Sequence, residues 1–536
     1  MATRLASARR WLEPVALGVA LWGLLLFNAV PRRALSDLTK PNLPRRFWED
    51  LTVATVNYQH GADSVYRGRA WDPWSERIAA ELKASLPEAA QRLGFRSWQF
   101  WRTLPCRDFA DAGPMRLRDS DDPGRAWLTA RGFHLLGGVA FYLPLWLAVF
   151  TALPLFVWLS VECRLAGCSW VAGITLACFA LSIYAAELLT LPYSAVGFHL
   201  LGLLLVITLA VSSLLHPRPT WSGLALRWLL AGVFFAVCTL CRGTGHSFLP
   251  ALTLLALATA ARTAGASSRR PWRIAGGVAL AMGLLLGPYW VVRPAQRHET
   301  WFALWEGVGD FDREKGHAWY DPVARDVLRR EGFVIPDRAG PICTPAMEAT
   351  MRRLLVRDIT SDPLWYAKIL AQRVPATLLQ LRLWPRASVD RTSFTPSTHP
   401  DRDASDIYYG LAKTADWFGL GLLTWEAPLP LLWLPLIAVL GGAVAERLAR
   451  RRDRLFPNPH LAALAAVALA AGAMPLLFTT AAAPEMQAFV LVYFFAAGLT
   501  ADALLRAVRG MRTSALDATR NGGHPRTVSG RVSTSH

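Results

Sequence analysis

The sequence predicts an all-α polytopic membrane protein, with about ten transmembrane helices and two large, mainly helical extracytoplasmic loops. Three observations carry this reading. The chain is 53% hydrophobic, with a mean hydropathy of +0.27. Apolar stretches of about 18 or more residues recur from end to end, each long enough to cross a hydrocarbon core about 30 Å thick. The arginine-rich clusters between these stretches fall on one side of the membrane when the spans are counted in alternation.

The spans are predicted at 11–30, 133–159, 169–189, 193–215, 222–241, 246–263, 273–292, 421–445, 459–479 and 485–507. The first is longer than the apolar core of a signal peptide and has no clear small-residue cleavage site before PRRALSDL, so it reads as a retained anchor. The second carries Pro144 and Pro154, and reads either as a kinked span or as a span plus an interfacial turn. Cys238 and Cys241 form a CxxC inside the fifth span, where cysteine serves as a small packing residue.

With the N-terminus in the cytoplasm, Arg4, Arg9 and Arg10, the segment RTAGASSRRPWR (262–273), the segment ERLARRRDR (446–454) and the Arg-rich tail all lie inside. An even number of spans returns the C-terminus to the cytoplasm and leaves residues 31–132 and 293–420 outside. The chain divides into an N-terminal transmembrane module (1–292), an extracytoplasmic domain (293–420), C-terminal transmembrane helices (421–507) and a tail (508–536) whose Thr, Ser, Gly and Arg content predicts disorder. The net charge of +18 follows largely from this topology. No zinc-finger, helix-turn-helix or RNP pattern accompanies it, which argues against a nucleic-acid partner. Arg is strongly preferred over Lys and Ala is abundant, as in a GC-rich bacterial genome, and the inner membrane is the expected location.

Within the outer loops, helical periodicity is clear in DPWSERIAAELKASLPEAAQRLG, DPVARDVLRREG, AMEATMRRLLVRDI and DPLWYAKILAQRVPATLLQLRLW, with Asp or Pro near the starts of most. Cys106 and Cys343 fall one in each outer loop, in an oxidising compartment for an ordinary bacterium, and a disulfide between them is a hypothesis of the topology. The seven cysteines are otherwise too scattered for a disulfide framework.

Charged groups at the span ends converge on the outer face. Glu49 and Asp50 open the segment WEDLTVATVNYQHG; Glu187 ends the third span; Arg242 follows the fifth in CTLCRGTGHSFLP, with His246 four residues on; Arg293 closes the seventh in GPYWVVRP; Glu485 opens the tenth. Each has a plainer reading: acidic residues suit a helix N-terminus, and an arginine beside Tyr289 and Trp290 suits a membrane interface. A carboxylate flanked by Phe47 and Trp48 is nevertheless a candidate general base. The segment WFALWEGVGDFDREKGHAWYDP (301–322) offers aromatic faces and polar edges that suit a sugar, with Trp305, Asp310 and Trp319 as the candidates, or else it is a folded loop with an interfacial aromatic belt. Glu306, Asp310, Asp312 and His317 match no standard metal-ligand spacing; no cofactor is required, and a divalent metal stays open without support from the sequence.

This layout resembles the GT-C superfamily of membrane glycosyltransferases, in particular the bacterial relatives of protein O-mannosyltransferases (family 39) and aminoarabinose transferases. Glu49, Asp50, Ala54 and Gly61 occupy positions similar to that group's acidic outer-loop motif. The stretch WLLAGVFFAVCTLCRGTGHSFLPALTLLAL is similar to its Gly-rich helix, Arg and Pro-containing helix; GPYWVVRP resembles its P-W-x-x-R-N segment, with Tyr289 inserted and Pro294 in place of Asn; Glu187 matches an acidic helix position. Near the last helix many relatives carry an Arg-Tyr pair, whereas this chain reads PEMQAFV. The resemblance implies a polyprenyl-phosphate-linked sugar donor, a glycan, lipid or protein acceptor, Arg242 and Arg293 on the donor phosphate, and Asp50 or Glu49 as base. Glu187 and His246 are the candidates for supporting or substrate-binding roles. A transporter or lipid flippase is the alternative, and would carry an internal repeat and broken helices at the membrane midplane. Neither is visible in the sequence. A noncatalytic scaffold with large outer domains is the third class.

Overall fold

The computed structural model describes residues 11–27, 69–70, 117–118, 143–182, 185, 189, 196–215, 220–241, 243–264, 269–292, 300–310, 312, 314–318, 321–335, 344–380, 460–478 and 488–521. The predicted eighth span (421–445), most of the first outer loop, and Glu49, Asp50, Cys106, Glu187, Arg242, Arg293, Trp319, Cys343 and Glu485 lie outside these residues.

The described chain is helical apart from one antiparallel pair in the first outer loop, β1 (Arg69–Ala70) with β2 (Leu117–Arg118), Arg69 facing Arg118 in register. The apolar helices are α1 (Trp11–Phe27), α2 (Leu143–Leu165), α3 (Ser169–Leu181), α4 (Val196–Leu215), α5 (Trp221–Cys241), α6 (Leu249–Thr263) and α7 (Arg270–Val292), and later α12 (His460–Ala473), α13 (Pro475–Phe478) and α14 (Val490–Asn521). Between the two groups lie α8 (Thr300–Gly307), α9 (Asp321–Arg330), α10 (Pro345–Ser361) and α11 (Pro363–Gln380). Four helices are long and apolar enough to cross a membrane, over Leu147–Leu165, Gly197–Leu215, Trp221–Cys241 and Arg270–Val291, and shorter apolar helices accompany them.

Three boundaries differ from the sequence reading, each for a local reason. The second helix begins at Leu143 and runs to Leu165, so Pro144 sits in its first turn, where a missing N–H costs nothing, and only Pro154 is internal. The third ends at Leu181, well short of 189, because Ser182 turns to an extended conformation (ψ 113°) and its hydroxyl accepts the Ala185 N–H at 3.1 Å. The last helix is described through Asn521, beyond the predicted span end at 507. Its extension carries Ala, Leu, Met and Arg, all strong helix formers.

Helix directions follow from contacts at both ends of each pair. α1 runs antiparallel to α2: Glu13 pairs with Arg164 at 3.1 Å, Gly18 faces Val157, and the Trp22 indole donates to the Val149 carbonyl at 2.8 Å. α2 and α3 form a hairpin through Gly167, whose φ of +73° lets Cys168 N–H reach the Cys163 carbonyl (2.8 Å) and close the helix. α5 is antiparallel to α2, fixed by Arg227 on Glu162 at 2.9 Å and Trp158 on Phe234 at 6.3 Å. α7 runs parallel to α5, with Gly277 against Trp221 near one end and Tyr289 against Phe235 near the other. α6 is parallel to α4 in the same way, through Gly202 on Phe248 and a 2.7 Å hydrogen bond from Thr259 to Ser213. α14 is antiparallel to α3, with Gly498 on Val171 and the Thr175 hydroxyl on the Phe494 carbonyl at 3.4 Å.

Small residues recur at these crossings, as expected where lipid tails are as apolar as the side chains and association depends on close packing. A methyl group at Gly232 would collide with the Leu284 carbonyl of α7, and one at Gly498 would lie 2.7 Å from the Val171 carbonyl oxygen of α3.

The helices α8–α11 form a separate small core of Phe302, Trp305, Leu328, Met351, Leu354 and Trp365. Its helix ends are capped in ways the sequence signals. Thr344 accepts the Met347 N–H (3.2 Å) before Pro345, and Asp362 accepts the Trp365 N–H (3.0 Å) before Pro363. Glu348 takes the first N–H groups of α8 from across the domain, at 2.7 Å from Trp301 and 3.2 Å from Phe302. This domain meets the bundle where the Tyr366 hydroxyl donates to the Leu477 carbonyl of α13, at 2.7 Å.

Candidate functional site

The end of the bundle nearest α8–α11 is where the sequence reading places the chemistry. There α5 stops at Cys241, a 3₁₀ turn spans Gly243–Phe248, and α6 restarts at Leu249 with Pro250 in its first turn. His246 lies in the turn, half-buried, with Nδ1 2.8 Å from the Gly243 carbonyl oxygen. A carbonyl only accepts, so Nδ1 carries the hydrogen, and in the neutral ring Nε2 carries the lone pair. The imidazole meets Tyr289 edge-on at 5.1 Å and Phe235 at 6.3 Å. One turn further, Phe248 stacks on the buried His199 of α4 at 4.6 Å.

Arg242 lies between Cys241 and Gly243 in the chain, and Arg293 follows Val292. Both side chains fall outside the described residues, but the segments flanking them are joined through His246 and Tyr289. Of the remaining candidates, Glu49, Asp50 and Glu187 lie outside the described residues, as does the side chain of Asp310, whose backbone closes the 3₁₀ turn Val308–Asp310.

The second candidate region, 301–322, folds into a hydrogen-bonded knot. Asp312 accepts the N–H groups of Glu314 (2.8 Å) and Lys315 (2.9 Å) and the Trp365 indole N–H (3.1 Å) on Oδ1, and the His317 N–H (2.7 Å) on Oδ2. The His317 ring sits between Trp305 (4.5 Å) and Trp365 (5.2 Å). Its Nδ1 faces the Trp305 carbonyl at 3.1 Å and its Nε2 faces the Asp358 carboxylate at 3.1 Å. Lys315 lies over the Trp365 ring at 4.7 Å and donates to the Asp358 carbonyl. Trp305, a sugar-facing candidate in the sequence, is therefore a core residue, 3% exposed. Among the described residues no group of three or more His, Cys, Asp and Glu is gathered to hold a metal ion.

Several residues in these networks escaped the sequence reading. Asp358 and Trp365 lie more than forty positions from His317. Arg373 is fully buried and donates to the Gly307 carbonyl, holding the C-terminal end of α8. Glu162 and Arg227 cross-link α2 and α5 at the opposite end of the bundle. Helical periodicity marks Trp365 and Arg373 as facing inward or outward but does not name a partner. Cys238 and Cys241 are buried within α5, in packing positions. The chain matches no protein-family model, no curated protein and no solved structure.

Proposed function

We propose that this chain is a polytopic membrane glycosyltransferase that moves a sugar from a polyprenyl-phosphate donor to an acceptor hydroxyl at the extracytoplasmic face. The observation that carries this reading is the contact of His246 with Tyr289, which brings together two segments that each flank an arginine, at the bundle end from which the outer domain emerges. The donor is amphipathic, so its tail lies among the helices while its phosphate remains at the interface. Arg242 and Arg293 bind that phosphate. The acceptor oxygen attacks the anomeric carbon as the bond from that carbon to the phosphate oxygen breaks, with inversion. The acceptor's proton passes to Asp50, or to Glu49, and polyprenyl phosphate departs with its charge met by the two arginines.

In this reading ten spans cross a bacterial inner membrane, and both termini lie in the cytoplasm. Exposed tryptophans support the depth: Trp272 and Trp290, near the two ends of α7, are 82% and 57% exposed. At about 1.5 Å per residue they stand about 27 Å apart along the axis, close to the thickness of a hydrocarbon core.

The test is transfer from polyprenyl-phosphate sugars in membranes holding the wild type, Asp50→Asn, Glu49→Gln or Arg242→Ala. Loss of the base lowers the rate by about 10²–10⁴-fold, and loss of the arginine by about 10²–10³-fold. Full activity in both carboxylate variants removes the assigned base. A wild type that consumes no lipid donor with any acceptor removes the transferase reading in favour of transport.

A further inference from the structure

The opposite end of the bundle carries a patch that the proposed chemistry does not use. There the segment 262–273 holds four arginines and no carboxylate. Arg262 is turned back onto the bundle, donating to the Ser213 carbonyl at 2.6 Å. Arg269, Arg270 and Arg273 are exposed at the start of α7 and form no ion pair among the described residues. Two further arginines at this end are paired, Arg164 with Glu13 and Arg227 with Glu162, and Arg273 also donates to the Ala264 carbonyl at 3.5 Å. Between Arg270 and Arg273 stands Trp272, 82% exposed, and Gly277, one turn on, lets the Trp221 ring of α5 close against α7. An exposed indole flanked in the chain by three arginines that pair with no carboxylate among the described residues is complementary to a phosphate-bearing lipid surface.

We infer that Arg269, Arg270, Trp272 and Arg273 form a binding surface for anionic phospholipid headgroups of the leaflet at this end. The guanidinium groups donate to headgroup phosphodiester oxygens while Trp272 lies among the upper acyl chains. This rests on the chain spanning a membrane and not on the glycosyltransferase reading.

The full-length protein is reconstituted in nanodiscs of mixed phosphatidylcholine and phosphatidylglycerol, and the lipids that remain bound after detergent transfer are counted by native mass spectrometry. The wild type retains phosphatidylglycerol over phosphatidylcholine, a preference that falls as salt is raised. The R269Q/R270Q/R273Q variant loses that preference about tenfold or more, whereas R329Q/R330Q/R353Q, the same charge change in the outer domain, leaves it unchanged. A Lys triple variant at 269, 270 and 273 keeps most of it, and serves if the Gln variant does not fold. Equal retention of the two lipids by the wild type, or retention indifferent to both salt and the triple substitution, overturns the proposal. Release of the wild type from native membranes by alkaline carbonate would instead overturn the membrane reading on which it rests.

Discussion

Asp312→Asn tests whether the α8–α11 domain is held by the knot around His317. The substitution keeps volume and shape but turns one carboxylate oxygen into a donor. The better amide orientation keeps Oδ1 as the acceptor for Glu314, Lys315 and Trp365, and points the new NH₂ at the His317 N–H, which now sits at 2.7 Å from Oδ2. That N–H is buried, so a hydrogen bond to a charged acceptor, worth about 1.5–3 kcal/mol, is lost and replaced by two opposed donors. The other three bonds persist but to a neutral acceptor, which is weaker. A net cost of about 3 kcal/mol follows, on the order of a hundredfold in the local opening equilibrium. Hydrogen exchange of the full-length protein in nanodiscs reads this directly. Amides in 300–318 and 345–373 should exchange about a hundredfold faster, while those of α4 and α5 keep wild-type protection. Unchanged exchange in 300–318 would show that water or the Asp358 side carries the knot without Asp312, and would refute the assignment.

Packing gives a contrast between a glycine at the α5–α7 crossing and one on the exposed face of α7. Gly232→Leu drives a side chain into the Leu284 carbonyl and should cost about 3 kcal/mol in unfolding experiments, whereas Gly283→Leu, where an added carbon meets nothing within 4 Å, should change stability by less than about 0.5 kcal/mol. Glu162→Gln leaves Arg227 without its counter-charge and should lower stability by about 2 kcal/mol, with the loss reduced in a Glu162→Gln/Arg227→Met double variant. Mass spectrometry under non-reducing conditions should recover peptides joined through Cys106 and Cys343, and finding both thiols free ends that pairing.

Most of the bundle was legible because a membrane demands long apolar runs with few alternatives. What the apolar run could not fix was where a helix ends within it. α3 ends as the backbone turns extended at Ser182, whose hydroxyl accepts the Ala185 N–H ahead of it, and hydropathy is blind to such a break within a predicted span. Pro144 lies in the first turn of α2, a position hydropathy does not distinguish from the kink or the interfacial turn that the sequence left open. In the outer domain the local signals were sound: Thr344-Pro345 and Asp362-Pro363 each open a helix. The knot was not, because Asp312 and His317 are local while Asp358 and Trp365 come from two other helices. Trp305 carried the features of a sugar platform and of an interfacial aromatic belt equally, and neither spacing nor composition pointed to a core position. Its burial was decided by Trp365, which no spacing in 301–322 foretells.

The helix directions impose a constraint on the part of the chain between Val292 and His460. α1 and α2 are antiparallel, as are α2 and α5, and α7 is parallel to α5; α7 therefore ends on the side where α1 ends. α3 turns back from α2, α14 opposes α3, and Gly472 at the close of α12 meets Phe489 and Val492 at the opening of α14, so α12 also ends on the α1 side. Two helices that both run toward one side need an odd number of crossings between them. Of the sequence from 293 to 459, only 421–445 is apolar over a length that spans a bilayer, so a single crossing there is expected. The consequence is measurable with single cysteines on a background lacking the seven native ones. Ser361→Cys, exposed in α10, and Ser222→Cys, exposed at the start of α5, should react with a membrane-impermeant maleimide from opposite sides of sealed vesicles. A cysteine at Arg450, between 445 and 459, should react from the Ser222 side. Labelling of that position from the Ser361 side would require an even number of crossings and would break the chain of directions at one of the helix pairs named above.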